Sequence, residues 1–169
     1  MTHKLSSQFA LVAASRDQEP VFANLLQLYI YDFSEILDLD VGAEGRFSYP
    51  HLALYWSEPG RHPFLITVQG KPAGFVLVKT GSDWDVHDMA EFFVMRRHRR
   101  HGIGTAIAHE VWRRLPGRWE VRVMEANVPA QHFWTHAIAG FSGLPAVPTR
   151  VEQDGEIWQL FSFESPGQE

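Results

Sequence analysis

The segment Met89-Ala90-Glu91-Phe92-Phe93-Val94-Met95-Arg96-Arg97-His98-Arg99-Arg100-His101-Gly102-Ile103-Gly104-Thr105 decides the fold. An apolar run suited to a strand passes through a basic loop and two glycines into a helical pattern. In that pattern Ile103, Ile107, Val111 and Leu115 share one face, and Pro116-Gly117 ends it. Glycines at 102 and 104 let the backbone come close to a ligand. The first free N–H groups of the helix, with its dipole, favour an anion there. A phosphate or pyrophosphate is the expected guest, with charge added by Arg99, Arg100 and His101. A dinucleotide fingerprint would need glycine where Ile107 stands, and the Gly-Lys-Ser/Thr of a P-loop never occurs. The competing reading is a plain strand-to-helix turn whose arginines are solvated.

Upstream, Phe9 to Ala14 reads as a short buried strand. A helix follows from Pro20, with Phe22, Leu26, Ile30 and Phe33 recurring at helical spacing, and it frays near Asp38 to Gly42. Residues 43–62 read as a loop with one or two helical turns. Phe64 to Gln69 and Ala73 to Thr80, joined by Gly70-Lys71-Pro72, form the clearest hairpin in the chain, and a polar turn at Gly81 to Asp85 precedes Met89. Downstream come a strand at Trp119 to Met124, a helix at Pro129 to Ile138 and a closing strand at Glu156 to Phe163. Antiparallel strands first and a strand–helix–strand unit later predict an α/β fold, a mixed sheet with helices on both faces.

The chain has 169 residues, 45% of them hydrophobic, and 22 aromatic rings, which suits one domain over 1–169 with a substantial core. It holds no cysteine, so thiolate nucleophiles, disulfides and Cys-ligated metals are excluded, and a cytoplasmic location is expected. The N-terminal apolar run is too short for a signal sequence, and no stretch is long enough to span a membrane. The net charge of −5 argues against a nucleic-acid coat or a membrane partner. The charge is also divided. Seven acids and no Lys or Arg fall between Asp17 and Glu44, whereas eight of the fifteen basic residues fall between Arg96 and Arg122. His132 and His136 lie four apart on the second helix candidate, but no third ligand joins them and no metal is expected.

Arg99-Arg100-His101-Gly102-Ile103-Gly104, the preceding Glu91-Phe92-Phe93-Val94-Met95, and the downstream Asn127-x-x-Ala130-x-x-Phe133-Trp134 with Gly140-Phe141 resemble, in order, the signatures of the GNAT superfamily of N-acetyltransferases. The resemblance covers residues 64–141 firmly. It implies a mostly antiparallel mixed sheet split between strands four and five, with acetyl-CoA as co-substrate lying in the split. It further implies that Arg99, Arg100, His101, Gly102, Ile103, Gly104 and Thr105 hold the pyrophosphate, mainly through backbone N–H groups. Main-chain groups of Val94, Met95 and Arg96, beside Phe93, would hold the pantetheine arm, and the N–H of Val94 or its neighbour would polarise the thioester carbonyl. Asn127 matches the family's cofactor-contacting amide, with a helix cap as its other reading, and Ala130 and Phe133 complete that motif. Trp134 stands where the family places a tyrosine proposed as general acid. Indole cannot supply a proton at neutral pH, so Trp134 is expected to pack along the cofactor.

Glu91 is the candidate general base, because an attacking alkylamine is almost wholly protonated at neutral pH and must lose a proton. A salt bridge or an edge-strand charge is the competing reading. The first-helix region lines the acceptor pocket in the resembling family, which makes Tyr31, Asp32 and Glu35 candidates for holding a cationic amine. Tyr29, Tyr49, Tyr55 and Trp56 would wall the pocket or belong to the core. The expected partners are a CoA thioester and a small amine or peptide acceptor, transferring directly in a ternary complex. A homodimer through Trp158 and Phe161 is left open. A non-catalytic acyl-CoA sensor on the same fold is the alternative function.

Overall fold

The computed structural model describes residues 8–82 and 85–167. The expected turn at Gly81 to Asp85 and the N-terminal run from Met1 lie partly outside the described residues. Strand β1 (Phe9–Ala13) forms one edge of the sheet. Helix α1 (Glu19–Leu37) carries Pro20 in its first turn, where the missing N–H costs nothing. It buries Phe22, Leu25, Leu26 and Ile30 as one stripe and ends at Asp38, which takes a left-handed φ of 51°. A 3-10 turn at Leu52–Trp56 follows, and then the hairpin β2 (Arg61–Val68) and β3 (Lys71–Thr80). The hairpin turn is Gln69-Gly70, both at positive φ, so Lys71 and Pro72 already belong to β3. Strand β4 (Val86–Val94), helix α2 (Ile103–Arg114), strand β5 (Gly117–Met124) and helix α3 (Val128–Ser142) complete the central unit, and β6 (Thr149–Gln153) and β7 (Glu156–Ser165) close the chain.

Across the described residues the strands form one sheet in the order β1-β2-β3-β4-β5-β7-β6. All pairings are antiparallel except β4 with β5. This is the expected mixed fold. Its helices lie on both faces, since α1 packs on Leu65, Phe75, Leu77 and Phe93, whereas α2 and α3 pack on Ile66, Val76, Val78 and Val121 from the other side. Among the described residues no helix is long and apolar enough to cross a membrane.

Strand β6 is an addition to the sequence reading. Its residues Thr-Arg-Val-Glu-Gln are polar and exposed apart from Val151, so it has no apolar alternation to betray it. The signal lay in Asp154-Gly155, the two-residue turn into β7, with φ of 55° and 79°. Phe161, grouped with Trp158 as a dimer surface, is buried against Val121 in the core and offers nothing to a partner.

Two features of β4 position the site. Its parallel ladder with β5 covers only Val86–Asp88 against Arg118–Glu120, and the two strands part beyond it. The register against β3 also slips, with Leu77 opposite Glu91 and Val78 opposite Met89, leaving Ala90 as a bulge. Strict alternation would set Asp88 and Glu91 on opposite faces. The bulge brings both onto the α1 face.

Candidate active site

The Met95 N–H donates to the Ala73 carbonyl at 2.8 Å. Antiparallel pairing alternates, so Met95 and Phe93 turn their backbone polar groups toward β3 and Val94 turns its own away, into the opening that β5 has left. The Val94 carbonyl is taken by Arg99 Nε at 2.7 Å. The Val94 N–H therefore faces the split as a donor.

Past the 3-10 turn Arg96–His98, Arg100 adopts a φ of 63° and Gly102 a φ of 76°, and α2 begins with no side chain capping its first N–H groups. A backbone turning twice through the left-handed region points successive N–H groups inward, a concavity suited to an anion. The two glycines do different work. Around Gly102 there is open space and only the positive φ demands glycine, whereas a Cβ on Gly104 would meet the Phe133 ring at 3.1 Å. Gly104 thus also serves the packing of α2 on α3, a role the sequence reading did not give it.

The charge assignments also change. Asp32 accepts from Arg96 at 2.7 Å and from Arg99 at 2.7 Å. Partial burial pushes the Asp32 carboxyl up, but the two guanidiniums outweigh it and hold it below the usual carboxylate range. The acid assigned to a cationic acceptor and two arginines assigned to the cofactor are spent on each other. Arg99 also lies over the Phe93 ring, which makes it a strut between α1 and the end of β4. Arg100 and His101 remain exposed beside the loop, and Ile103 is buried under α2 with Thr105 half-buried. Tyr31 is 67% exposed and Glu35 is exposed, so neither joins Glu91.

The groups that do face Glu91 are tyrosines. Tyr29 Oη donates to Glu91 Oε2 at 2.5 Å, and Tyr49 Oη donates to Oε1 at 3.3 Å. Burial pushes the Glu91 carboxyl above its ordinary range, the two hydroxyls pull it back, and the charge of Asp88 adds to the rise. Burial, with the Glu91 charge, also raises both hydroxyls far above the ordinary phenol, and Tyr55 is pushed up to about 12. Neither a salt bridge nor an edge charge describes Glu91. The sequence signal for Tyr29 was its place on the buried stripe of α1, where a phenol must find a partner. Asp88, half-buried on the same face, was hidden by the bulge.

On the other face, Asn127 caps α3, its Oδ1 accepting from the Ala130 N–H at 3.2 Å. Its amide NH2 is left for a ligand. Phe133 is half-buried against Phe92 and Gly104. Trp134 is only 7% exposed and packs among Phe92, Phe133 and Trp112, so it is a core residue, a correction to its placement along the cofactor.

The model of the acetyltransferase (GNAT) family matches residues 25–141. Among solved structures, an acetyltransferase from Thermus thermophilus superposes with a TM-score of 0.67 at 16% identity, over 92% of this chain and 96% of that one. Spermidine N-acetyltransferase from Vibrio cholerae, in complex with CoA and spermine, gives 0.64 at 12% identity over 95% and 97%. Ribosomal-protein-S18-alanine N-acetyltransferase from Escherichia coli gives 0.62 at 14% identity over 95% and 96%. These likenesses are of fold. No curated protein sequence matches the chain.

Proposed function

The chain belongs to the acetyltransferase (GNAT) family, and we propose that it transfers an acetyl group from acetyl-CoA directly to an amine acceptor, with both substrates bound at once. The acceptor is a cationic small molecule or a peptide amine. Acetyl-CoA supplies an activated acyl carbon, and the net reaction turns an ammonium and a thioester into an amide, a thiol and one proton. Direct transfer is supported by a sequence without cysteine for a thiol acyl-enzyme. The reading carries with it one domain over 1–169 and a cytoplasmic location.

The residues present fit the donor. The loop Arg99 to Thr105, with left-handed Arg100 and Gly102 and an uncapped α2, offers backbone N–H groups to a pyrophosphate. Main-chain groups of Phe93 to Arg96 line the split, and the NH2 of Asn127, the residue that caps α3, is assigned to the cofactor. The Val94 N–H donates to the carbonyl oxygen on which negative charge builds, held in place by the Arg99 bond to its carbonyl and by the β3 ladder. Glu91 takes the ammonium proton. Its raised pKa makes it a better base than a free carboxylate.

The acceptor class rests on Glu91 and Asp88 sharing one face under three tyrosines, acidic and apolar at once. Spermidine and an alanine of ribosomal protein S18, named for two of the neighbours, are amine acceptors of the two kinds proposed. One observation carries the reading: a single strand turns the Val94 N–H toward the split in the plane of the sheet and sets a buried carboxylate, Glu91, on its α1 face. The test is to incubate the protein with acetyl-CoA and a panel of polyamines, amino acids and N-terminal peptides, and to assay free thiol. Acceptor-dependent thiol release is expected. Tight acetyl-CoA binding with no release across the panel would instead favour the non-catalytic sensor, for which the tryptophan at 134 is the supporting feature.

A further inference from the structure

Both oxygens of Glu91 are held by hydroxyls that arrive from far along the chain. The Tyr29 ring is fixed edge-on against Phe33 at 4.7 Å and Phe75 at 5.5 Å, with Phe93 at 5.7 Å, so its hydroxyl has one direction in which to point. Tyr49 lies on the irregular segment after α1. That segment is tied back to α1 by Gln27, which donates to the Phe47 carbonyl at 2.9 Å and accepts from the Phe47 N–H at 2.8 Å. One helix therefore sets both hydroxyls, Tyr29 directly and Tyr49 through Gln27.

The geometry points to Tyr29 and Tyr49 as positioning residues that divide the Glu91 carboxylate between them: Tyr29 fixes Oε2, while the long Tyr49 bond at Oε1 is the one an acceptor N–H replaces, so that Oε1 receives the proton. This rests on the reading of Glu91 as the base. A buried carboxylate with no donor would protonate and lose its use, whereas an arginine partner would keep it charged but strip its basicity. Two neutral phenols avoid both outcomes. They aim the carboxylate and keep their own protons throughout the working range, because burial and the Glu91 charge hold both hydroxyls far above the ordinary phenol value. The other groups on this face are Asp88 on β4, which repels the Glu91 charge, and Tyr55 on the 3-10 turn, itself covered by Arg61 of β2. In the step itself the acceptor N–H proton passes to Oε1 and the electron pair stays on nitrogen.

The experiment compares Tyr29→Phe and Tyr49→Phe in the full chain. The Glu91 titration is followed by carboxyl carbon NMR without acetyl-CoA, and the pH dependence of turnover is followed with acetyl-CoA and an amine that the panel identifies. In Tyr29→Phe the Glu91 midpoint moves up, the acid limb of the rate profile moves with it, and kcat falls about tenfold, the size of a lost bond to a charged group. In Tyr49→Phe the midpoint moves up less and kcat falls several-fold less than in Tyr29→Phe, since the acceptor displaces that bond anyway. An unmoved midpoint in folded Tyr29→Phe overturns the assignment of Oε2. A loss of kcat in Tyr49→Phe as large as in Tyr29→Phe overturns the division of roles. The base is tested apart from this: an active Glu91→Gln removes the base and the clamp together, whereas an inactive Glu91→Gln beside a silent Tyr29→Phe removes the clamp alone.

Discussion

The first three residues of β4 and its last four live in different surroundings, although one strand contains them all. Val86–Asp88 are stitched to β3 on one side and to β5 on the other. Beyond the Ala90 bulge only the β3 side is paired, and β5 has gone. In the closed half even the side chains are tied: His87 binds Thr80 Oγ1 at 2.9 Å and the Pro116 carbonyl at 3.0 Å, fastening β3, β4 and the entry to β5 together. In the open half the Val94 N–H has no strand on the β5 side to pair with, and the buried Glu91 carboxylate is held by the Tyr29 and Tyr49 hydroxyls instead. The difference teaches that the sheet stops satisfying its own polar groups in the half where we place the chemistry, while the closed half keeps that opening in shape.

Glu91→Gln strikes the open half hardest. It keeps the shape and both tyrosine neighbours but cannot take a proton, so kcat should fall by roughly 10² to 10⁴ with acetyl-CoA affinity unchanged by calorimetry. Wild-type turnover in this variant would remove Glu91 as the base. Next come the glycines, which separate loop shape from packing. Gly102→Val forces a β-branched residue into a φ of 76° at a cost of about 1–2 kcal/mol, and acetyl-CoA affinity should drop about tenfold as the loop moves away from that angle. Gly104→Val instead drives a branched side chain into the Phe133 ring and should lower thermal stability by about 1–3 kcal/mol, with a smaller change in affinity. The reverse pattern would return Gly104 to the ligand.

A smaller effect is expected at Asp32, which bridges the acidic helix and the basic loop. Its partners are largely exposed, so Asp32→Asn should cost no more than about 1 kcal/mol, and less in high salt. The sign with pH follows from the lowered carboxyl. The contribution is present above the unfolded value of about 3.9 and fades as pH falls through the lower folded value. Denaturant midpoints of the variant and the wild type should therefore converge toward strongly acid pH. Should the variant instead raise the KM for a cationic acceptor many-fold, Asp32 would belong to the acceptor site after all.

The strand, the glycine loop and the following helix were legible because they are contiguous: their pattern of residues is their structure. The same holds for the hairpin of β2 and β3. What escaped the sequence was built across distance or by a local irregularity. Tyr29 and Tyr49 reach Glu91 across 62 and 42 residues, and no spacing rule links them. The Ala90 bulge changes which face Asp88 occupies without leaving a glycine or proline to mark it. The acidic and basic blocks were visible as composition, but their mutual neutralisation through Asp32 depends on α1 crossing over the end of β4, which composition does not contain.

The smallest effect belongs to the closed half, and it tests whether that half is more than backbone. His62 on β2 faces Thr80 Oγ1 at 3.0 Å, the hydroxyl that also meets His87, so one oxygen links two imidazoles. Partial burial lowers the His62 pKa, and the neighbouring His87 adds to the lowering. A histidine with a depressed folded value binds fewer protons folded than unfolded between that value and about 6.5, so stability rises with pH across this window. Its contribution is whole above the unfolded value and is lost as pH falls through the folded one. His62→Gln keeps a polar side chain and removes the titration, so its urea midpoint should change less between pH 7.5 and acid than the wild type's. Turnover at pH 7.5 should barely change, because the closed half holds the opening without entering the chemistry. Equal slopes in the two proteins would show that charge on His62 is tolerated, and that backbone pairing at Val86–Asp88 alone keeps β4 and β5 joined where they meet.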